Sequence, residues 1–188
     1  MRRLAFAFLL SCALAGCEST QQSSPVAIAA SFDPAEAAFI KKKGTTTIDG
    51  HAFWRDDHGA TMNAAGELIR LVPVTAYSRE RIDVLYKGHR SIAAKDIVQA
   101  PADGRFGDYT RTTRAESNGR FEFDDVAAGK YFVVGEMRYK ERERSGRRSG
   151  VLGKLLKINE ESGGAMYETV TVTGKEDKAI KLVLTNDR

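Results

Sequence analysis

Residues 117–134 read SNGRFEFDDVAAGKYFVV, two strand-like stretches that follow an Asn-Gly pair. Asn118-Gly119 supplies the positive φ angles of a tight turn between strands. Phe121 and Phe123 alternate with charged residues, so both point to one face of a strand. The next strand runs back beside it and presents its own apolar residues to the same face. We therefore predict one buried cluster made of Phe121, Phe123, Tyr131 and Val133.

Strand-like segments continue on both sides of this stretch, with turn residues between them. They cover residues 45–54, 68–77, 109–115, 167–173 and 179–184. Residues 78–87 have a narrow apolar stripe at helical spacing, with Ser78 as the predicted N-cap and Gly88 as the predicted end. About seven short strands without regularly alternating helices indicate an all-β fold. We predict a single β-sandwich with short helical insertions.

The longer stretch of residues 110–134 resembles the carboxypeptidase regulatory-like domain. The usual pattern of that family is Asp-x-x-Gly-x-Phe-x-Phe, a hydrophobic residue, Pro-x-Gly and an aromatic strand. Glu116 stands here in place of the Asp, and Ala127 in place of the Pro. The resemblance extends over residues 45–185 and implies a transthyretin-like sandwich, related to the collagen-binding B-type repeats. It implies no peptidase activity, because the family name refers to an accessory domain.

The related B-type repeats can hold a Lys–Asn isopeptide bond that a buried acid assists. In their pattern the acid follows the strand tyrosine by four residues, which corresponds to Gly135 in this chain. Glu136 is one residue further on, and strand side chains alternate, so we expect it on the opposite face. Glu136 is therefore predicted to be a surface residue and not an isopeptide acid.

The N-terminus has the three parts of a secretory signal. Met1-Arg2-Arg3 is basic, residues 4–10 are apolar, and small residues follow them. Residues 14–17, LAGC, resemble the lipobox of bacterial lipoproteins. That resemblance implies cleavage before Cys17 and attachment of palmitate-type lipid to this cysteine.

The expected lipid places the protein in the bacterial cell envelope, because two or more acyl chains hold a protein stably at a membrane. In the enteric-type sorting of such lipoproteins an Asp at the next position favours retention in the inner membrane, so the resemblance together with Glu18 implies the outer membrane. Residues 18–30 have the composition of a flexible tether, and Asp33-Pro34 has the pattern of a helix start. The predicted organisation is a signal peptide at 1–16, a lipidated tether with a short helix at 17–43, and the sandwich at 44–188.

Composition excludes several classes of function. Without the signal 172 residues remain, and their only cysteine is Cys17, so a disulfide framework, a Cys-ligated zinc site and a cysteine nucleophile are excluded. Loss of Arg2 and Arg3 leaves 27 basic against 25 acidic residues. This near balance argues against a nucleic-acid partner.

No pattern in the sequence indicates catalysis or a cofactor. His51 and His58 lie near Asp56 and Asp57, but their spacing matches no metal-ligand motif. The sequence has no nucleophile-elbow serine, glycine-rich phosphate loop or HExxH helix. We predict no metal, no cofactor and no enzyme activity.

The most charged segment, residues 138–148, reads RYKERERSGRR. Two interpretations stay open: a solvated hairpin loop, or an anion site for an acidic glycan, lipopolysaccharide phosphate or a partner protein. The candidate anion-binding residues are Arg142, Arg144, Arg147 and Arg148.

Together these features predict a lipid-anchored, non-enzymatic binding or structural module of the bacterial cell envelope. Its expected partners are the membrane, through Cys17, and an envelope protein or an anionic glycan. The alternative is an envelope hydrolase, which would require a deep pocket with convergent titratable residues.

Overall fold

Strands dominate the structure and form two facing sheets. The computed structural model describes residues 25–140 and 161–187. Its strands are β1 (Thr46–Arg55), β2 (Thr61–Asn63), β3 (Leu68–Pro73), β4 (Ser91–Ala93), β5 (Arg111–Arg114), β6 (Arg120–Val126), β7 (Gly129–Lys140), β8 (Glu161–Val172) and β9 (Ile180–Leu184). The α-helices are α1 (Pro34–Ala37) and α2 (Ala76–Tyr86), and short 3-10 helices lie at Ala38–Lys41, Ala94–Asp96 and Phe106–Tyr109. Among the described residues, no helix has the length and apolar character needed to cross a membrane.

The first sheet is organised around β1, because this ten-residue strand pairs with three others. It is antiparallel to β6 and β2 and parallel to β9. The second sheet has the order β4-β8-β7-β3-β5 and is antiparallel throughout. The predicted all-β sandwich is confirmed. The described strands number nine rather than about seven, because β2 and β4 have three residues each and are too short to show an alternating pattern in sequence.

The core is centred on the aromatic cluster predicted from the sequence. The prediction that its two strands run side by side is wrong, because β6 lies in the first sheet and β7 in the second, and their side chains meet across the sandwich. The members of the cluster are Phe121, Phe123, Tyr131 and Val133, each at most 3% exposed. They pack in one cluster with Ile48 of β1, Leu71 of β3 and Leu184 of β9. The hydroxyl of Tyr131 donates a hydrogen bond to the carbonyl of Ala127 at 2.8 Å, so this buried polar atom is satisfied.

Gly50 makes room for one of these aromatic rings. It lies opposite Phe121 in the register between β1 and β6. A Cβ atom at Gly50 would lie 2.1 Å from Cζ of the Phe121 ring, well inside van der Waals contact. Gly50 is therefore required by close packing across the two strands.

A turn forms at Asn118-Gly119 as predicted, but only Gly119 has a positive φ, and the turn connects β5 of the second sheet to β6 of the first instead of closing a hairpin. Gly119 has a φ of +82°, in the left-handed region that favours glycine. The side-chain oxygen of Asn118 accepts a hydrogen bond from the N–H of Arg120 at 2.9 Å. This turn delivers the chain into β6.

Helix α2 lies on the outer face of the second sheet and packs through Ile82 and Tyr86. Its N-cap is Thr75, which corrects the prediction of Ser78. Ser78 is the third residue of the helix and completes a capping box: its hydroxyl accepts from the N–H of Thr75 at 2.8 Å, and the Thr75 hydroxyl accepts from the N–H of Ser78 at 3.2 Å. The helix ends at Tyr86, and Gly88 follows with a φ of +81°.

The segment before β1 packs against the sandwich from Phe32 onward. The Phe32 ring lies edge-on to the rings of Tyr77 and Tyr109, each at a centroid distance of 5.5 Å. Asp33 caps α1, as the sequence predicts. Part of the 17–43 segment therefore belongs to the packed domain, because Phe32 contributes a buried ring to it.

The chain before Phe32 is attached to α2 by its backbone. The N–H groups of Ala29 and Ala30 donate to the two carboxylate oxygens of Glu80 at 2.6 and 2.7 Å. The N–H of Val26 donates to the carbonyl of Gln99 at 2.9 Å. These bonds fix the path by which the N-terminal part of the chain enters the domain.

Candidate ligand-binding cleft

A cleft of about 390 Å³ lies between α2 and the outer face of the second sheet. The sheet forms its floor, α2 forms one wall, and the segment 97–106 contributes to another. Most of its lining side chains are apolar and include Val72, Val134, Ala165, Ile82, Leu85 and Phe106. Its volume and its mainly apolar lining are typical of small-molecule sites, which occupy about 300–1,000 Å³.

Strand alternation explains the charged residues on the floor. Arg70 points outward on β3 because its neighbour Leu71 points into the core. Arg70 lies opposite Val134 of β7, and Glu136 is two residues further along the same strand. Arg70 and Glu136 are therefore diagonal neighbours on one face. The prediction that Glu136 lies on the outer face is confirmed, and that face is the floor of the cleft.

The charged groups of the cleft differ in how they are satisfied. The Glu136 carboxylate accepts two hydrogen bonds from the Arg138 guanidinium, at 2.9 and 3.0 Å. Arg81 donates to the carbonyl of Ala100 at 2.6 Å, and its guanidinium lies 5.7 Å from the centroid of the Phe106 ring. Arg70 is half-buried and has no hydrogen-bond or ion-pair partner among the described residues. Arg70 is thus the guanidinium of the described cleft lining whose hydrogen-bond donors are free.

Two hydroxyl groups also line the cleft, and both are engaged. The Ser78 hydroxyl donates to the carbonyl of Pro73 at 2.6 Å. The Tyr86 hydroxyl lies 3.4 Å from the carbonyl of Met166. Burial, followed by the negative charge of Glu136, raises the pKa of Tyr86 well above its usual value. Tyr86 is therefore a neutral donor at physiological pH and not a phenolate nucleophile.

The histidines and acids singled out in the sequence lie elsewhere and have structural contacts. His51 is on the first sheet, where its Nε2 lies 2.9 Å from the carbonyl of Asn118 and 3.3 Å from Oδ1 of Asn63. Both partners accept, so Nε2 carries the hydrogen. The Asp56 carboxylate accepts from the N–H of His58 at 2.9 Å within a turn. Residues 25–140 and 161–187 contain no cluster of three or more His, Cys, Asp or Glu that could hold a metal ion.

The site residues predicted from sequence alone lie outside the described residues. They are the lipidation site Cys17 and the candidate anion-binding residues Arg142, Arg144, Arg147 and Arg148. Both sets remain predictions.

The sequence analysis missed the cleft itself. One signal for it was available: Arg70 interrupts the apolar stretch LIRLV at residues 68–72. A charged residue at an outward position of a strand is ordinary on a solvated sheet face, so this signal alone is weak. Helix α2 and residues 97–106 cover that face through contacts between residues far apart in the sequence, and a local sequence pattern does not predict such contacts.

Comparison with known proteins gives information about the fold. No protein-family profile matches the chain, and no curated protein matches it. A crystal structure described as "a putative carbohydrate binding protein" from Pseudomonas aeruginosa aligns with 83% of this chain and 98% of its own, at 24% identity and a TM-score of 0.64. The two proteins share a fold. At this identity the likeness extends to the fold alone.

A 9R-lipoxygenase from Cyanothece PCC8801 also aligns, over 78% of this chain and 17% of its own. The identity is 10% and the TM-score 0.27, which is too low to carry an argument.

Proposed function

We propose that this chain is a non-enzymatic binding module of the bacterial cell envelope, anchored by lipid on Cys17, that holds an anionic ligand in the cleft under α2. The observation that carries the proposal is Arg70, a half-buried guanidinium without a partner among the described residues, at the floor of an apolar-walled cleft. A carboxylate or phosphate on a ligand would supply the missing partner.

The energetics favour such an occupant. A guanidinium that loses water without gaining a partner raises the free energy of the protein. An anion restores charge-assisted hydrogen bonds, and the planar guanidinium can form two of them with one carboxylate. Each charged hydrogen bond contributes about 1.5–3 kcal/mol. Arg70 is therefore expected to contribute most of the polar binding energy in the cleft.

One feature supports the envelope setting and another supports the binding role. The LAGC sequence at residues 14–17 resembles a lipobox. The structural neighbour from Pseudomonas aeruginosa is described as a putative carbohydrate binding protein, which is compatible with a binding role instead of a catalytic one. The partner predicted for Arg142, Arg144, Arg147 and Arg148 is, like the ligand proposed for the cleft, an anion.

The cleft contains ionisable groups, which a hydrolase would also require, but those that could serve as base or nucleophile are engaged in other contacts. Glu136 is paired with Arg138, Tyr86 is held neutral, and the Ser78 hydroxyl donates to a backbone carbonyl. None of the described residues that line the cleft is a histidine. In the described part of the chain the cleft therefore contains no nucleophile hydrogen-bonded to a base, which acyl-transfer hydrolysis requires.

Binding to the cleft is tested with the chain from residue 17 carrying Cys17→Ser. Calorimetry with hexanoate and with digalacturonate measures the affinity for two anions of different shape. Arg70→Met should weaken binding of whichever probe binds by about ten- to hundredfold, as the loss of a charged hydrogen bond predicts. Arg79→Met, an exposed arginine of α2 outside the cleft lining, is the matched control and should bind as the parent does. Equal affinity of the Arg70→Met variant would contradict the proposal.

The anchor is tested separately in cells. Cys17→Ser in the full chain should move the protein out of the membrane fraction, because the residue that carries the lipid is lost. Membrane retention of this variant at the parent level would contradict lipidation without affecting the proposal about the cleft.

A further inference from the structure

We infer that the cleft takes a single-chain amphipathic anion of the fatty-acid type, with its carboxylate on Arg70 and its acyl chain along the aliphatic wall. The inference rests on the proposed function, since it names the chemistry of the anionic ligand. The charges of the cleft indicate the head group, and its apolar wall and volume indicate a single acyl chain.

The wall of the cleft selects for methylene groups. Ile82 and Leu85 project from α2, Val72 and Val134 rise from the sheet, and Ile92 lies on the edge strand β4. Branched aliphatic side chains exclude water and gain free energy by covering other apolar surface. They offer no hydrogen bonds to the hydroxyl groups of a neutral sugar, which would lose its water without compensation. The wall therefore fits an acyl chain better than a sugar ring.

The polar part of the cleft selects for one negative charge. The described lining carries the guanidinium groups of Arg70 and Arg81 and the carboxylate of Glu136, which leaves a balance of one positive charge. Arg81 donates to the Ala100 carbonyl, so Arg70 is the guanidinium that lacks a hydrogen-bond partner among the described residues. Glu136 stands diagonally beside Arg70 and opposes a second negative charge at the same place. A monocarboxylate matches one guanidinium by two parallel hydrogen bonds and balances the single net positive charge, whereas a phosphate dianion would exceed it.

The volume of the cleft limits the occupant to one chain. About 390 Å³ is near the lower end of the range for small-molecule sites. It suits the chain of a fatty acid and not the two chains and glycerol of a membrane phospholipid.

The cleft also lies on the part of the domain that the tether enters. Residues 97, 98 and 100 line it, and the carbonyl of Gln99 between them accepts from the N–H of Val26. Only eight residue steps separate Cys17 from Pro25, so even a fully extended chain spans at most about 29 Å. With the lipid that we propose on Cys17, the cleft stands close to a membrane, where single-chain amphiphiles concentrate.

The experiment measures affinity as a function of chain length and head group. Hexanoate, octanoate, decanoate and dodecanoate, each below its micelle-forming concentration, are titrated into the chain from residue 17 with Cys17→Ser. Affinity should rise about fourfold for each added methylene until the cleft is filled, as burial of a methylene predicts. The matching alcohols should bind at least tenfold more weakly than the acids, and dodecyl phosphate more weakly than dodecanoate.

Two variants separate the head from the chain. Arg70→Met should remove the preference for acid over alcohol and keep the dependence on chain length. Leu85→Gln should reduce the dependence on chain length and keep the preference for the acid. Val183→Gln, an exposed valine on the first sheet at 45% exposure, is the control and should change neither.

The outcomes distinguish the two proposals. Arg70-dependent binding that is equal for hexanoate and dodecanoate, or stronger for digalacturonate or for dodecyl phosphate, overturns the fatty-acid inference and leaves the proposed function standing. No Arg70-dependent binding of any of these anions overturns both.

Discussion

The Thr46 hydroxyl, buried at the start of β1, donates a hydrogen bond to the carboxylate of Glu176 at 2.7 Å, 130 residues along the chain. The same carboxylate accepts from the N–H and hydroxyl of Thr173 and from the N–H of Gly174, at 2.6–2.9 Å. Hydrogen bonds to the charged form, first from the Thr46 hydroxyl and then from the N–H and hydroxyl of Thr173, lower the pKa of Glu176 to about 2. The turn between β8 and β9 is thereby joined to the central strand of the first sheet.

This depressed pKa predicts a specific acid sensitivity. Above its ordinary value of 4.5 the carboxylate is charged in both the folded and the unfolded chain, and its stabilising contribution is complete. Between pH 4.5 and about 2 the unfolded chain binds the proton first, so stability falls as pH falls through this window.

Thermal melts across this pH window test the linkage. Glu176→Gln should melt below the parent at neutral pH, and the difference should shrink towards pH 2. Asp177→Asn, an exposed neighbour, is the control and should follow the parent. A constant difference between Glu176→Gln and the parent at every pH would contradict the assignment.

Phe123→Ala should destabilise the fold by about 3–5 kcal/mol, because it empties the space of a buried aromatic ring in the central cluster. Chemical denaturation measures the loss. Phe53→Ala, a half-exposed phenylalanine on the outer side of β1, should cost clearly less. An unchanged free energy of unfolding in Phe123→Ala would show that the face of β6 is assigned wrongly.

Gly50→Ala should destabilise by about 1–3 kcal/mol, since its methyl group would occupy the place of the Phe121 ring. Gly104→Ala is the matched control, because no atom lies within 4 Å of the Cβ position at Gly104. In a chain carrying Phe121→Leu the cost of Gly50→Ala should become smaller, since the two residues are in contact. Additive effects of the two substitutions would contradict the proposed contact.

The charged segment gives a prediction that rests on sequence alone. Replacing Arg142, Arg144, Arg147 and Arg148 by serine should abolish retention on a lipopolysaccharide or acidic-glycan column and leave the melting temperature unchanged. Retention of the parent should weaken as salt rises, because exposed charges are screened over about 8 Å at physiological ionic strength.

The control for this column experiment removes the same number of positive charges elsewhere. Serine at the exposed positions Arg79, Lys95, Lys130 and Lys175 should leave retention in place. Equal retention of the parent and of the first variant at low and high salt would assign the segment to solubility instead of binding.

The sequence predicts those parts of the fold that depend on residues close together along the chain. Alternation at Phe121 and Phe123 places both residues in the core, but it does not show that β6 and β7 belong to opposite sheets. The N-cap of α2 was placed three residues late, because Ser78 is a good capping residue and its partnership with Thr75 depends on the exact end of β3.

The cleft could not be predicted for a different reason. Its unpaired guanidinium, that of Arg70, lies on β3, and one of its walls is formed by α2. The remaining lining comes from residues 97–106, whose sequence shows little strand or helix pattern. Glu136 could be assigned to the outer face, but nothing in the sequence says what covers that face. Local periodicity determines which way a side chain points, and only the packing of distant segments determines what it meets.

The bond between Glu80 and the backbone of Ala29 and Ala30 has a mechanical consequence. Tension on the chain before residue 25 reaches the bond between Val26 and Gln99 first and the Glu80 carboxylate next, so it acts on the segment 97–106 and on α2 before it acts on either sheet. Under a load that leaves the strands intact, the force would act on the two segments that cover the outer face of the second sheet. Force on the N-terminal part of the chain would therefore change the position of the same segments that form the walls of the cleft.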